Sequence, residues 1–171
     1  IGIESTIVDL SEERPMILRP GFITQEMLSA VLGDVGMDPG LASENSKQPP
    51  KAPGMRYRHY APKADLTLVE GTMEEVISKI NALTREAQAM GKSVGVLATE
   101  ENKDCYVADH VIVIGQRQDE AEIARHLFDV LRQFDDLQVD LIYSESFVAA
   151  GVGQAIMNRL LKAAGHKRIF V

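Results

Sequence analysis

Four of the seven prolines fall between Pro49 and Pro62, and that stretch, Pro-Pro-Lys-Ala-Pro-Gly-Met-Arg-Tyr-Arg-His-Tyr-Ala-Pro, divides the chain. Proline has no amide proton to give a helix or a strand ladder, so neither element can run through it. The sequence must therefore fold as something before the stretch and something after it. The same region is unusual in charge. From Asn45 to Ala64 there is no carboxylate but five cations, Lys47, Lys51, Arg56, Arg58 and Lys63. That window carries +5 in a chain of net −7, which leaves −12 on the remaining residues. Fixed positive charge, two tyrosines and an imidazole on an extended backbone suit gripping an anion. A proline-stiffened spacer whose cations only keep it solvated is the other reading that composition leaves open.

With 171 residues, 45% of them hydrophobic, the chain can bury a core as one domain or two small ones. A pI near 5.1 argues against a whole-chain nucleic-acid binder, because a phosphate backbone needs a broad basic face. The single cysteine, Cys105, excludes an intrachain disulfide and fits a reducing, cytoplasmic compartment; a bystander role is expected for it. No apolar run approaches the roughly 18 residues of a membrane span, and no basic-then-apolar leader opens the sequence. The first residue is Ile1 rather than Met, and it starts inside a strand-like pattern, so the expectation is a piece of a longer protein.

Taken in order, Ile3 to Leu10 reads as a β-branched strand and Met16 to Arg19 as a second one, a hairpin joined by a polar turn. Pro20-Gly21 breaks it. Thr24 then offers an N-cap to a helix over Gln25 to Leu32, stopped by Gly33. This hairpin and helix, residues 1–35, are too small to stand alone. Residues 36–63 lack apolar periodicity and read as a linker. From residue 64 to 171 the pattern changes to alternating strands and helices. Leu66 to Val69 is a strand, and Thr72 with Glu75 has capping-box spacing at the head of a helix whose apolar stripe runs Val76, Ile80, Leu83, Ala87, Met90. Strands follow at Val94–Ala98, Val111–Ile114 and Asp140–Ser144, with a short strand or a loop at Val107. Helices are expected over about residues 119–134 and 152–164, and Ile169-Phe170-Val171 is placed to close the sheet. Near-continuous apolar strands alternating with helices predict an α/β fold: a Rossmann-like, mostly parallel sheet with helices on both faces.

Four places could carry chemistry. Gly151-Val152-Gly153 lies between a strand and a helix, where free amides can bind phosphate. The third glycine of the dinucleotide fingerprint is missing, so glycines that let a helix pack close to a strand explain it better. Ser144-Glu145-Ser146 sits at the carboxyl end of a strand, where open α/β sheets keep their ligand crevices; a merely polar strand end is the default. His59 stands among Arg56, Tyr57, Arg58 and Tyr60, a set able to fork onto phosphate, stack on a base and donate to an oxyanion. No Cys, Asp or Glu in that segment completes a metal set, and His110, His126 and His166 show no ligand spacing, so no protein-bound metal is expected. Arg19 ends an apolar strand before a turn, as a rim charge or an anion contact, with Ser5 and Thr6 near it only if the hairpin turn permits.

Three segments, Gly2-Ile3-Glu4-Ser5-Thr6-Ile7-Val8-Asp9, Ile17-Leu18-Arg19-Pro20-Gly21 and Pro53-Gly54-Met55-Arg56-Tyr57-Arg58-His59-Tyr60-Ala61-Pro62, together resemble the long form of the YrdC/YwlC family of threonylcarbamoyl-AMP synthases. Gly151-x-Gly153-x-Ala155 with Asn158-Arg159-Leu160 and Lys162-Ala163-Ala164 resembles that family's carboxyl-terminal domain, so the likeness spans essentially the whole chain. The resemblance implies that residues 1–35 end an α/β catalytic domain whose main nucleotide-binding segment lies elsewhere. Residues 36–63 then form the interdomain linker and residues 64–171 the second domain. It implies an intact enzyme that joins L-threonine, bicarbonate or carbon dioxide, and ATP into threonylcarbamoyl-AMP and pyrophosphate for a tRNA modification. Magnesium would be held through the phosphates, and the present segment alone would be inactive. Ser5, with Thr6 as second choice, would meet threonine. Arg19, Tyr57, Arg58 and His59 would meet ATP or the adenylate, the last three as a lid that excludes water. No catalytic side chain is assigned. Downstream tRNA-modification proteins are implied partners, whereas direct tRNA binding and membrane association are not expected. A non-catalytic nucleotide- or protein-binding α/β module with a basic docking linker is the alternative.

Overall fold

The computed structural model describes residues 3–41 and 61–171, which form two sheets. The first holds three short strands in the order β1 (Ile7–Asp9), β2 (Met16–Arg19), β3 (Gly36–Met37), with helix α1 (Gln25–Leu32) between β2 and β3. The hairpin β1–β2 is antiparallel, pairing Ile7 with Arg19 and Asp9 with Met16 across a bulge between Ile7 and Val8. The strand expected from Ile3 to Leu10 is therefore only three residues long. Ile3 leaves the ladder to bury its side chain in the core of the larger sheet, and that burial competes with pairing. Gly36 and Met37, which lack periodicity and read as linker, form β3 parallel to β2, with the Gly36 amide donating to the Pro15 carbonyl at 2.8 Å. Helix α1 begins where Thr24 accepts a hydrogen bond from the Met27 amide and ends at Gly33.

The second sheet is built from β4 (Asp65–Glu70), β5 (Val94–Ala98), β6 (His110–Val113), β7 (Leu141–Glu145) and β8 (Arg168–Phe170), all parallel, in the order β6-β5-β7-β4-β8. Helix α2 (Met73–Ala89) connects β4 to β5, α3 (Glu120–Asp136) connects β6 to β7, and α4 (Gly151–Ala163) connects β7 to β8. Alternation along each strand sorts the side chains to two faces. Leu66, Leu68, Leu97 and Ile142 meet Ile123, Leu127 and Phe134 of α3 and Ala155, Ile156 and Leu160 of α4. Val69, Val94, Val96 and Ala98 meet Val76, Ile80 and Ala87 of α2 on the other face. Every residue of β5 is buried, as a central parallel strand covered on both sides requires. Each fully buried leucine, isoleucine or phenylalanine contributes about 1.5–3 kcal/mol.

The helix ends are written locally. Thr72 and Glu75 form the reciprocal capping box at the head of α2, and Asp119 accepts from the Glu122 amide at the head of α3. Met90, expected to extend the apolar stripe of α2, lies past the helix end and is exposed. Residues around Val107 form no strand; a single 3-10 turn at Lys103–Cys105 precedes them, and Cys105 is exposed.

Candidate functional site

The hairpin brings Arg19 back onto the chain that enters β1. Arg19 Nε donates to the Ser5 carbonyl at 3.0 Å, and its Nη1 lies 3.4 Å from Glu4 Oε2. The turn thus permits the approach that spacing alone left open. Ser5 is exposed beside it. The Thr6 hydroxyl donates to the Ile23 carbonyl at 2.7 Å, so its proton is committed to the backbone and only its lone pairs remain to accept. Gly21 fixes this corner. A Cβ there would lie 2.5 Å from the Thr6 nitrogen and 2.8 Å from the Ser5 carbonyl carbon, and closer still to the Glu4 carbonyl oxygen. These neighbours are backbone and cannot swing away, so Pro20-Gly21 lets Glu4 to Thr6 pass against the end of β2. Tyr57, Arg58 and His59 lie outside the described residues.

Glu4 is the residue of this corner that sequence patterning did not single out. Its carboxylate pairs with Arg19 and also with Arg159, a buried guanidinium on α4. An acid inside an otherwise apolar strand start is the one sequence signal that marks it.

The two other candidate places are occupied by the protein's own carboxylates. At the Gly151-Val152-Gly153 turn, the Gly153 amide donates to Glu120 Oε2 at 3.0 Å. A Cβ on Gly153 would strike the Val148 carbonyl and lie 2.9 Å from Glu120 Oε1. The turn therefore packs closely, and a side chain of α3 already neutralises the start of α4. At the carboxyl end of β7, Glu145 is wholly buried. It accepts from the Thr99 amide at 3.2 Å, the Thr99 hydroxyl at 3.0 Å, Asn102 Nδ2 at 3.3 Å and the Tyr106 hydroxyl at 2.9 Å, and it is paired with Arg117. Burial, then the Glu145 charge and hydrogen bond, raise the Tyr106 hydroxyl pKa and keep it a donor. Arg117 also donates to the Ser146 carbonyl at 2.9 Å and lies over the Phe147 ring, 5.4 Å from its centroid. The carboxyl end of β7 is thus occupied by an internal ion pair.

Among the described residues, no group of three or more His, Cys, Asp or Glu side chains could hold a metal ion, and no helix is long and apolar enough to cross a membrane.

The sequence and fold have known counterparts. The model of a family described as threonylcarbamoyl-AMP synthase, C-terminal domain, matches residues 23–165. A threonylcarbamoyl-AMP synthase from Bacillus subtilis is 47% identical over 169 residues, covering 99% of this chain and 47% of the relative. One from Pyrococcus abyssi is 42% identical over 171 residues, covering 100% and 48%. Among solved structures, P. abyssi Sua5 complexed with L-threonine superposes with a TM-score of 0.87 at 42% identity, over 100% of this chain and 48% of that one. The C-terminal Sua5 domain from Pyrococcus horikoshii superposes with a TM-score of 0.53 at 37% identity, over 65% of this chain and 100% of that one. The chain spans about half the length of the curated relatives it matches, and with its parallel sheet and matched sequence it belongs to the threonylcarbamoyl-AMP synthase C-terminal domain family.

Proposed function

We propose that this chain is the carboxyl-terminal part of an L-threonylcarbamoyl-AMP synthase, inactive by itself. Residues 1–35 complete the catalytic domain, residues 36–63 link the domains, and residues 64–171 form the second domain. The observation that carries the reading is the family match over residues 23–165 together with 42–47% identity to two synthases over nearly the whole chain. In the intact enzyme, the amine of L-threonine becomes a carbamate, by adding to carbon dioxide with loss of a proton or by taking the carboxyl group of bicarbonate with loss of water. A carbamate oxygen then attacks the α-phosphorus of ATP, the bond to the bridging oxygen breaks, and pyrophosphate leaves with the electron pair. Such a displacement depends on positioned anions and neutralised charge more than on a strong base. Magnesium carried by the phosphates fits that need.

Ser5, with Thr6 second, is assigned to threonine, and Arg19 to the nucleotide phosphates. What supports this is the corner geometry, in which Arg19 holds the Ser5 carbonyl and Gly21 leaves room for Glu4 to Thr6. Tyr57, Arg58 and His59 are assigned to the adenylate on the strength of the sequence motif, as a cover that protects a hydrolysis-prone mixed anhydride. The product feeds tRNA threonylcarbamoyladenosine formation in the cytoplasm, passed to downstream modification proteins without direct tRNA binding by this acidic chain. The internal carboxylates at Gly153 and β7 weigh against the alternative of a free-standing nucleotide-binding module. Pyrophosphate release measured with L-threonine, bicarbonate and ATP tests the reading. The full-length protein should turn over and the 171-residue chain should not; a full-length protein that binds neither threonine nor ATP overturns it.

A further inference from the structure

Helix α4 presents Arg159 and Lys162 three residues apart on one face, and both are buried, at 6% and 8% exposed. That face meets the hairpin corner. Arg159 pairs with Glu4, Arg19 lies 3.4 Å from the same carboxylate, and Lys162 is within electrostatic reach of Arg159, Glu4 and Arg19. Three cations from two domains thus gather around one acid at a seam largely withdrawn from water. Mutual repulsion at low dielectric makes such a cluster costly, and a polyanion is the ligand that relieves it. Lys162 registers the field: burial first, then Arg159, lower its pKa to about 8, with Glu4 acting in the opposite direction and Arg19 adding to the fall.

From this convergence we infer that Arg159 and Lys162 of the second domain, with Arg19, form a seat for the pyrophosphoryl group of the nucleotide. The inference rests on the proposed synthase reading and adds to it a direct role for the second domain. As the carbamate oxygen bonds to the α-phosphorus and the bridging oxygen departs, negative charge grows on the leaving pyrophosphate. Cations fixed at the seam stabilise that charge without reorganising. No proton transfer is required of them. The Asn158-Arg159-Leu160 and Lys162-Ala163-Ala164 segments thereby acquire a purpose beyond packing.

The test uses the full-length enzyme with inorganic pyrophosphate as the probe, comparing wild type with Lys162→Met and Lys162→Arg by calorimetry and as product inhibition. Loss of one charge-assisted contact weakens pyrophosphate about tenfold or more. Lys162→Met should show that loss while L-threonine affinity is unchanged, and Lys162→Arg should restore most of it. Wild-type pyrophosphate affinity in Lys162→Met, with threonine still bound, overturns the inference and leaves the synthase reading standing. Absence of threonine binding and turnover in the wild-type enzyme overturns the synthase reading itself. If Lys162→Met fails to fold, Lys162→Gln gives the second reading: weaker pyrophosphate binding with intact threonine affinity supports the seat, and unchanged binding overturns it.

Discussion

Gly21→Ala is the smallest change that reaches the candidate threonine contact, and its effect can be worked from the backbone. The added Cβ would stand 2.5 Å from the Thr6 nitrogen and 2.8 Å from the Ser5 carbonyl carbon. Non-bonded carbon contacts settle near 3.5–4.0 Å, so Glu4 to Thr6 must retreat by roughly 1 Å. Overpacking of that kind costs about 1–3 kcal/mol. At about 2–4 °C per kcal/mol for a chain of this size, the Tm should fall by several degrees. The functional consequence is larger, because a misplacement of about 1 Å can cost on the order of 100-fold in a positioned site. In the full-length enzyme, L-threonine affinity by calorimetry should therefore drop far more than stability does. Gly91→Ala is the control. Gly91 has φ +76° and nothing within 4 Å of an added Cβ, so the change strains the backbone after α2 at a cost of about 1 kcal/mol without touching the hairpin. Threonine affinity should survive it. If Gly21→Ala lowers the Tm and binds threonine as wild type, Ser5 and Thr6 do not contact the amino acid. If neither quantity changes, the close-approach argument for Gly21 is wrong.

Glu145→Gln should destabilise the chain by about 3–5 kcal/mol in urea denaturation, because Arg117 and four other donors lose their buried acceptor charge; a change under about 1 kcal/mol would mean that the cluster is solvated and the crevice open. The pH dependence of stability should carry a signature of Lys162. Its folded pKa of about 8 lies below the ordinary 10.5. Between those values the unfolded chain holds the proton that the folded chain has released, so stability rises with pH across that window. Below about pH 8 both states are protonated and the penalty is constant. Subtracting the Lys162→Met profile from wild type should isolate this slope, and parallel profiles would refute the burial argument.

Much of the five-stranded sheet and its helices can be read from local pattern. Thr72 and Glu75, Asp119 and Gly91 mark helix ends through contacts three or four residues away, and the apolar runs at 66–69 and 94–98 identify strands covered on both faces. The hairpin and α1 were equally plain, from the turn at residues 11–15 and the cap at Thr24. What pattern does not carry is long-range competition. Ile3 has the composition of a strand residue, yet it gains more by burying in the neighbouring core than by pairing. Gly36 and Met37 form a strand of two residues, too short to leave a period, held by a register that only β2 supplies. At the candidate sites the limit is the same. The Gly151-Val152-Gly153 turn was correctly placed at a helix start, but Glu120, which fills it, is 33 residues away. The donors to Glu145 come from 28 to 46 residues away.

These fillings bear on how the two parts of the chain can work together. At the carboxyl end of β7 and at the start of α4, the positions open to a ligand are taken by Glu145 with Arg117 and by Glu120. Arg159, buried on α4, meets the hairpin side of the molecule through Glu4. Glu4 accepts Arg159 from that helix and Arg19 from β2, and the next residue in the chain is Ser5. A shift of α4 relative to the hairpin would therefore strain the Glu4 ion pairs, adjacent in sequence to Ser5. Gly21 packs directly against the backbone of Glu4 to Thr6. A single acid shared by two arginines thus joins α4 to the hairpin corner beside Ser5. Glu4 is therefore the side chain whose replacement should release α4 from the hairpin most directly.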